Sequence, residues 1–254
     1  MEFEVASHIL IFLMGAAFVA GFVDSIAGGG GLITLPAMIL GGADPITALA
    51  TNKVQGLFGA GTAAANYARA GLVDPRRQWK AGLAAFAAAL VGAMLAGNLP
   101  TGVIRMGLPF LLIAIALFFA LKPGLSDKDS TARMPLVVFG ATFVPLIGFY
   151  DGLIGPGTGA FLMMGFVTLA GYGVLKATAH TKFLNFASNV GGMTGFAMVA
   201  SPWWMTGVAM GLAQMAGAAL GARLAVRVGA RIIKPVLVVS STALALKLLW
   251  DAYA

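Results

Sequence analysis

The chain has 254 residues, of which 59% are hydrophobic and only 10% are charged, and its mean hydropathy is +0.93. Soluble domains are about 45–50% apolar, so this composition excludes an ordinary soluble protein and predicts an integral membrane protein. The formal net charge is +7, but the basic residues fall in short segments between apolar runs, which is typical of cytoplasmic loops and not of a nucleic-acid surface. Because the chain contains no cysteine, disulfides and thiolate metal sites are excluded.

Apolar runs of about 20 residues recur along the whole length, and each is long enough to cross a hydrocarbon core of about 30 Å. We predict one membrane domain of about ten helical segments, in chain order 8–24, 32–42, 46–70, 79–97, 102–121, 135–151, 158–170, 176–200, 204–225 and 230–250. The segments that begin at Leu32 and Thr158 are too short to span and predict broken or re-entrant half-helices. The expected fold class is an all-α polytopic membrane protein with about eight full or near-full transmembrane helices.

Each short segment follows a glycine-rich break, which itself follows an apolar run and an aspartate. The two breaks lie in GFVDSIAGGGGLITLP, residues 21–36, and in GFYDGLIGPGTGAFLM, residues 148–163. Glycine costs a helix about 1 kcal/mol relative to alanine, so several in succession end the helix and free its backbone. The residues of the two breaks that we expect to line a site are Gly28, Gly29, Gly30, Gly31, Gly155, Gly157, Thr158 and Gly159.

The two breaks belong to an internal repeat. Six residues of the first break recur, with the same identity and at one constant spacing, in the second break. Gly21, Phe22, Asp24, Gly28, Gly30 and Leu35 correspond to Gly148, Phe149, Asp151, Gly155, Gly157 and Leu162. Downstream, TNK at 51–53 matches HTK at 180–182, and the most polar connection, 122–135, lies between the copies. We therefore predict repeat one at 1–122, a linker at 123–134 and repeat two at 135–254.

Charge placement predicts the orientation of the two repeats. The basic connections 72–80 and 223–234 are expected to be cytoplasmic, and the neutral connections 98–102 and 201–204 are expected to lie outside. With about five segments in each half, the second half enters the membrane in the reverse direction, which is the inverted-repeat architecture of many secondary transporters. Both termini are then extracytoplasmic, provided that each short segment forms a broken helix hairpin with the segment before it. The alternative, plain helices in parallel repeats, leaves one basic connection outside.

The paired G-F-x-D-x-(I/L)-x-G motifs, their glycine-rich continuations and the TNK and HTK elements resemble the sulfite exporter TauE/SafE family, also called the toluene sulfonate uptake permeases. The resemblance covers nearly the whole chain. It implies transport of sulfite or of sulfur-containing organic anions across the bacterial cytoplasmic (inner) membrane, with export as the direction. The family is functionally broad, so the resemblance does not identify the individual substrate.

Independently of the resemblance, the breaks are suited to bind an anion. A helix that begins inside the membrane presents about four unpaired N–H groups and the positive end of its dipole, and glycines let an oxyanion approach them. Lys53 and Lys182, at corresponding places in the two repeats, are expected to supply the counter-charge. Alternatively, each lysine extends to a membrane interface as a simple anchor. The uncharged polar residues that we expect near the lysines are Thr51, Asn52, His180, Thr181, Asn185 and Asn189.

The two intramembrane aspartates, Asp24 and Asp151, have several possible roles. Each can be structural, by accepting N–H bonds from the following turn or by pairing with a lysine, or it can couple transport to protons. A pair of aspartates is also compatible with an intramembrane aspartyl protease, although a protease requires neither duplicated glycine turns nor paired lysines. An anion channel would use the same groups as a carrier.

The sequence therefore predicts a secondary transporter, and not an enzyme, that moves a small sulfur oxyanion by alternating access around a midplane site. Sulfite is the expected substrate; the alternatives are an anion channel or a transporter of an organic sulfonate. The expected partners are the anionic substrate and the lipid bilayer, without nucleic acid, cofactor or metal. Proton coupling and a homodimer are left open.

Overall fold

The computed structural model describes residues 3–96 and 126–236, together with 238, 239 and 242. Within these ranges the regular elements are α-helices and no strand occurs. The helices are α1 (Ser7–Ala27), α2 (Gly31–Leu40), α3 (Pro45–Arg69), α4 (Pro75–Leu95), α5 (Leu136–Ala141), α6 (Phe143–Leu153), α7 (Thr158–Thr168), α8 (Val174–Val199) and α9 (Trp204–Val228). The segment predicted at 102–121 and part of that at 230–250 lie outside the described residues, although 230–236 is helical.

Two helix boundaries differ from the predicted ones for local reasons. Helix α4 begins at Pro75 and not at residue 79, because the Asp74 carboxylate accepts from the Arg76 N–H at 3.0 Å and proline fits the first turn. The single segment predicted at 135–151 is two helices, α5 and α6, which are interrupted at Thr142. Pro145 has no N–H to donate to the carbonyl one turn earlier, so the helix does not continue regularly through this point.

Four stretches of the described chain are long and apolar enough to cross a membrane: Ser7–Ala27, Pro75–Leu95, Leu136–Leu153 and Trp204–Val228. Helices α3 and α8 have comparable lengths of 25 and 26 residues, but they carry several buried polar side chains. Helices α2 and α7, with 10 and 11 residues, are too short to span, as the sequence predicts. The protein is therefore all-helical in its described part, with several apolar spans.

Helices of the first half (α1–α4) pack largely on helices of the second half (α5–α9). Helix α1 packs on α9, and its counterpart α6 packs on α4. Helices α3 and α8 contact each other, and they also pack on α9 and α4, respectively. Short helix α2 contacts α1 and α3, whereas α7 contacts α6 and α8. Corresponding helices thus have corresponding partners, and the α3–α8 contact lies between the two halves.

One end of the bundle is closed by the N-terminal segment and by the turn before α9. The Glu4 carboxylate accepts hydrogen bonds from the Met205 and Thr206 N–H groups at 3.1 and 3.0 Å and from the Thr206 hydroxyl at 2.8 Å. These bonds satisfy donors at the start of α9 that have no partner within the helix. The Trp203 N–H donates to Thr51 Oγ1 at 2.9 Å, which ties the same turn to α3.

The opposite end of the bundle is organised by the polar segment 126–134. Asp129 accepts from the Gly173 N–H at 2.8 Å and forms an exposed ion pair of 2.6 Å with Lys176, at the start of α8. Asp127 accepts from the Ala230 N–H at 2.9 Å, just after α9. Helix α8 runs from this segment toward the turn before α9, where Glu4 binds. The segment before α1 and the segment before α5 therefore lie at opposite ends of the bundle.

Candidate functional site

Within the described residues, two buried ion pairs join the halves reciprocally. Lys53 Nζ on α3 lies 2.8 Å from Asp151 Oδ1 on α6, and Lys182 Nζ on α8 lies 3.0 Å from Asp24 Oδ2 on α1. The lysines are only 1% and 0% exposed, so neither ammonium reaches the protein surface as an interfacial anchor would. Because an unpaired buried charge costs several kcal/mol, each of the four side chains depends on its partner.

The glycine breaks hold the aspartates in place. After Asp24, the chain turns sharply at Gly28 and Gly29, whose φ angles of 85° and 98° are accessible mainly to glycine. The turn brings the Gly30 N–H to within 3.1 Å of Asp24 Oδ1, while Gly30 itself is right-handed with a φ of −55°. The glycine at position 30 is therefore not explained by a positive φ angle.

In the second break, the aspartate accepts its hydrogen bond from a side chain and not from a backbone N–H. Gly155 and Gly157 have φ angles of 92° and 86°. The hydroxyl of Thr158, the first residue of α7, lies 2.8 Å from Asp151 Oδ1 and 2.7 Å from the Gly155 carbonyl oxygen. A threonine hydroxyl here takes the place that a backbone N–H has in the first half.

The two breaks touch one another where the halves meet. A Cβ atom added at Gly159 would lie 2.8 Å from Gly28 Cα and 3.5 Å from Lys182 Nζ. A Cβ added at Gly155 would lie 3.1 Å from Lys53 Nζ. Glycine at these positions therefore permits a close approach of two backbones and of the lysine ammonium groups to them.

A small polar cavity of about 30 Å³ lies between the breaks. A single water needs about 10–15 Å³ of such space, so the cavity holds only a few water-sized groups and is closed to a larger ligand in this conformation. The residues that line it and that the sequence predicts for the site are Asp24, Gly29, Gly30, Gly31, Asn52, Lys53, Asp151, Gly155, Gly157, Thr158, Gly159, Asn185 and Asn189.

Four other residues of the predicted site do not line the cavity. Lys182 is behind Asp24, with which it pairs, and Gly28 packs on Gly159. Thr51 is turned toward Trp203 at the end of the bundle. Thr181 is buried, and its hydroxyl has no hydrogen-bond partner within the described part of the chain. The two lysines, expected to act alike, therefore have different positions, since only Lys53 faces the cavity.

The structure does not bring His180 to this cavity. His180 lines a second, larger cavity of about 410 Å³ at the end of the bundle that contains Arg77 and Lys176. Its Nδ1 atom lies 2.9 Å from Gln78 Oε1 on α4, and its ring packs edge-on against Tyr172. The two cavities share no described lining residue, so the sequence-based grouping of His180 with the lysines is not supported.

A polar network that sequence reasoning missed supports Asn52. Gln55 Nε2 donates to Asn52 Oδ1 at 2.8 Å and to Thr34 Oγ1 at 2.7 Å, and the Thr34 hydroxyl donates to Asn52 Oδ1 at 2.8 Å. With its oxygen occupied in this way, Asn52 directs its Nδ2 donor toward Gly31 on the cavity wall. Gln55 lies within one turn of Asn52 on α3, and that spacing is the signal that could have identified it.

Gln214 and Gly56 also line the cavity and were not predicted. Gln214 is buried in the middle of α9, where an amide among small apolar residues is itself a signal of a polar site inside a membrane protein. A search for duplicated motifs does not find it, because the corresponding position of the first half is Ala85.

The charges of the site balance without a ligand, since two lysines face two aspartates. The starts of α2 and α7, at Gly31 and Thr158, also meet at the cavity, so the positive ends of both helix dipoles lie beside it. Part of their first-turn N–H groups are already bonded, since Leu32 and Thr158 donate to the Gly29 and Gly155 carbonyl oxygens. Together with the ammonium of Lys53 and the amide of Asn52, these helix starts are suited to hold a small oxyanion. A protease dyad, in contrast, requires two carboxyl groups that share a proton, and here each carboxylate is paired with a lysine.

Known proteins similar to this chain are described as membrane transporters. A family model described as "Sulfite exporter TauE/SafE" matches residues 13–248. The chain is 56% identical over 248 residues to "Probable membrane transporter protein ORF9" of a Sinorhizobium species, covering 98% of this chain and 95% of that relative. It is 40% identical over 251 residues to "Probable membrane transporter protein YfcA" of Escherichia coli K12, covering 99% and 93% of the two chains. No solved structure matches the chain.

Proposed function

Because the chain belongs to the sulfite exporter TauE/SafE family of membrane transporters, we propose that it is a secondary transporter that exports sulfite across the bacterial cytoplasmic membrane. One observation carries the choice of a small oxyanion. Lys53 and the first residues of α2 and α7 converge on a single buried polar cavity between the two halves. Backbone N–H groups and an ammonium recognise the oxygens of an anion, and the convergence of these donors on one small region suits a compact one.

Binding of the anion requires the cavity to open and Lys53 to change partner. In the described conformation Asp151 occupies the ammonium of Lys53 at 2.8 Å. An anion that enters competes with this carboxylate, and the N–H groups at the starts of α2 and α7 offer it additional hydrogen bonds. The ion pair thus holds the lysine in place while the site is empty.

We propose that the two halves are inverted repeats with about eight spanning helices in all. Two contacts support the inverted orientation. Asp127 bonds Ala230 of the connection 223–234, and Asp129 of the same segment pairs with Lys176, which shares a cavity with residues of the connection 72–80. Both connections therefore lie at the same end of the bundle. Both connections are basic, so this end is assigned to the cytoplasm. The N-terminal segment at the opposite end is then extracytoplasmic, and the C-terminus is expected on that side as well.

A difference between the two ends supports alternating access. The second cavity opens at the cytoplasmic end, where the small residues Ala81 and Gly140 line it. Their counterparts at the other end, Met210 and Leu13, are fully buried in a packed apolar cluster. Among the described residues the packing is thus tighter at the outer end, and we infer that rocking of one half against the other would exchange the end that is closed. A site closed to solvent on one side favours a carrier over a channel.

Transport by purified protein in proteoliposomes tests this function. Vesicles loaded with unlabelled sulfite should take up radiolabelled sulfite by counterflow, and an aromatic sulfonate on the outside should compete weakly. A carrier exchanges label without measurable current in a planar bilayer, whereas a channel carries current that rises with the anion gradient. Counterflow of the sulfonate but not of sulfite would replace the proposed substrate, and the absence of flux of either anion would reject the function.

A further inference from the structure

The two aspartates of the site differ in how their oxygens are satisfied. Both oxygens of Asp24 accept hydrogen bonds, Oδ1 from the Gly30 N–H and Oδ2 from Lys182 Nζ. Asp151 uses Oδ1 twice, for Lys53 and for Thr158, and its buried Oδ2 has no partner within the described part of the chain. A buried acceptor without a partner costs about 1–3 kcal/mol, and more if it is charged. Oδ2 of Asp151 is thus an unused polar atom on a side chain that lines the cavity.

The asymmetry has a local cause in the two glycine breaks. Gly30 is right-handed, with a φ of −55°, and presents its N–H to the free oxygen of Asp24. Gly157, at the corresponding place, is left-handed with a φ of 86°, and the contact to the aspartate comes instead from the hydroxyl of Thr158. That hydroxyl bonds the oxygen that Lys53 already occupies, so the other oxygen of Asp151 is left over.

We propose that Asp151 binds a proton when the substrate anion binds, so that the protein carries the two together. This inference rests on the proposed function. Lys53 moves its ammonium from Asp151 to the anion, and the freed carboxylate takes up one proton from solution on Oδ2. The resulting carboxylic acid donates its O–H to an anion oxygen or to a cavity water. No other covalent bond forms or breaks.

The charge balance of the site gives the reason for coupling. Two lysines and two aspartates sum to zero, so a monovalent anion such as hydrogensulfite would leave a net buried negative charge. One proton on Asp151 restores neutrality and places a hydrogen-bond donor where the structure has an unused oxygen. The same proton on Asp24 would have to sit on an oxygen that already accepts a hydrogen bond, from the Gly30 N–H or from Lys182 Nζ.

The charged and titratable groups around Asp151 come from few elements. Lys53 on α3 pairs with it, and Asp24 on α1 lines the same cavity with Lys182 of α8 behind it. Beside it on α6, the Tyr150 hydroxyl donates to the Pro156 carbonyl oxygen at 2.6 Å. Helix α4 packs on α6, but its basic residues lie in its first two turns, among the exposed ones. The described residues of α7 contribute hydroxyls and no charge.

Calorimetry of sulfite binding in two buffers of different ionisation enthalpy measures the number of protons taken up. The wild-type protein should take up about one proton per anion beyond the protonation of sulfite itself, which is the same in every sample. Asp151→Asn should lose this uptake. For the wild-type protein, one linked proton makes the affinity for sulfite fall roughly tenfold for each unit by which the pH rises, and the variant should not show this fall. Asp129→Asn, which removes a carboxylate from an exposed ion pair with Lys176 outside the cavity, is the control and should retain the uptake. Undiminished uptake in Asp151→Asn overturns the proposal.

Two further measurements cover the remaining outcomes. If Asp151→Asn does not fold, Lys53→Gln/Asp151→Asn removes both charges of the pair, and infrared difference spectra of the wild-type protein need no variant at all. Addition of sulfite to the wild-type protein should produce a carboxylic-acid C=O band that is absent from the anion-free protein at the same pH. Failure of the wild-type protein to bind sulfite rejects the proposed function, whereas the absence of this band rejects the proton site.

Discussion

Lys53 and Asp151 come from different halves of the chain, yet they form an ion pair of 2.8 Å in which both side chains are almost fully buried. Such a pair contributes little net stability, because the cost of taking two charges out of water offsets their attraction. Removing one partner is costly, however, since the other is left unpaired. The pair is therefore better explained by its position on the cavity wall than by a contribution to folding.

Lys53→Gln should lower the free energy of unfolding by about 3–5 kcal/mol, because it leaves Asp151 buried without its counter-charge. The double variant Lys53→Gln/Asp151→Asn should recover most of that stability. Thermal unfolding of the purified protein in detergent measures both effects. Lys176→Gln, which breaks the exposed pair with Asp129, is the control and should cost less than about 1 kcal/mol. Equal losses at the buried and the exposed pair would contradict the described burial.

The two lysines should differ in their effect on anion affinity, because Lys53 lines the cavity and Lys182 does not. Neutral double variants give a matched comparison: Lys53→Gln/Asp151→Asn should weaken sulfite binding by about 1–3 kcal/mol, the range of a charge-assisted hydrogen bond. Lys182→Gln/Asp24→Asn should weaken it less. Binding is measured by calorimetry, and a larger loss in the second variant would mean that Lys182 contacts the anion.

Gly159→Ala should destabilise the protein, because the new methyl group would lie 2.8 Å from Gly28 Cα, where the two breaks meet. Overpacking of this kind costs about 1–3 kcal/mol. The control is Gly15→Ala, at an exposed position of α1 where an added Cβ meets no described atom within 4 Å. That change should be neutral or stabilising, since alanine favours a helix. Similar melting temperatures for the two variants would show that the breaks do not pack as described.

Single cysteines should report the sidedness of the bundle directly, because the natural chain contains none. Arg77→Cys and Arg227→Cys, at exposed positions of the two basic connections, should react with a membrane-impermeant maleimide only from the cytoplasm. Ser201→Cys, which is exposed at the other end, should react only from outside. Labelling of Arg77→Cys and Ser201→Cys from the same side would reject the inverted repeat.

Glu4→Ala should lower stability by about 1 kcal/mol, because it removes the acceptor at the start of α9. Burial alone would raise the pKa of Glu4, but hydrogen bonds from the N–H and hydroxyl of Thr206 and from the Met205 N–H outweigh it and lower that pKa below 4.5. A lowered carboxylate pKa stabilises the fold above 4.5, and this contribution is lost as the pH falls through the folded value. Melting curves against pH should therefore converge for the wild-type and Glu4→Ala proteins in acid.

Much of the local structure follows from the sequence alone. The glycine runs after Asp24 and Asp151 end their helices because only glycine readily adopts the left-handed φ angles found at Gly28 and Gly157. The short lengths of α2 and α7 and the apolar character of the spanning helices follow from residue order and hydropathy. These properties depend on neighbours in the chain, and such neighbours are visible in the sequence.

The partners of the buried charges were decided by the tertiary structure. Nothing in the spacing of residues shows that Lys53 pairs with Asp151 of the other half, or that Lys182 lies behind Asp24 and not in the cavity. His180 and Lys182 are close along α8, but their side chains have different surroundings. His180 lines the second cavity, whereas Lys182 pairs with Asp24. A side chain on a long helix meets whichever helix packs against its face, and that packing is set by contacts between residues far apart in the chain.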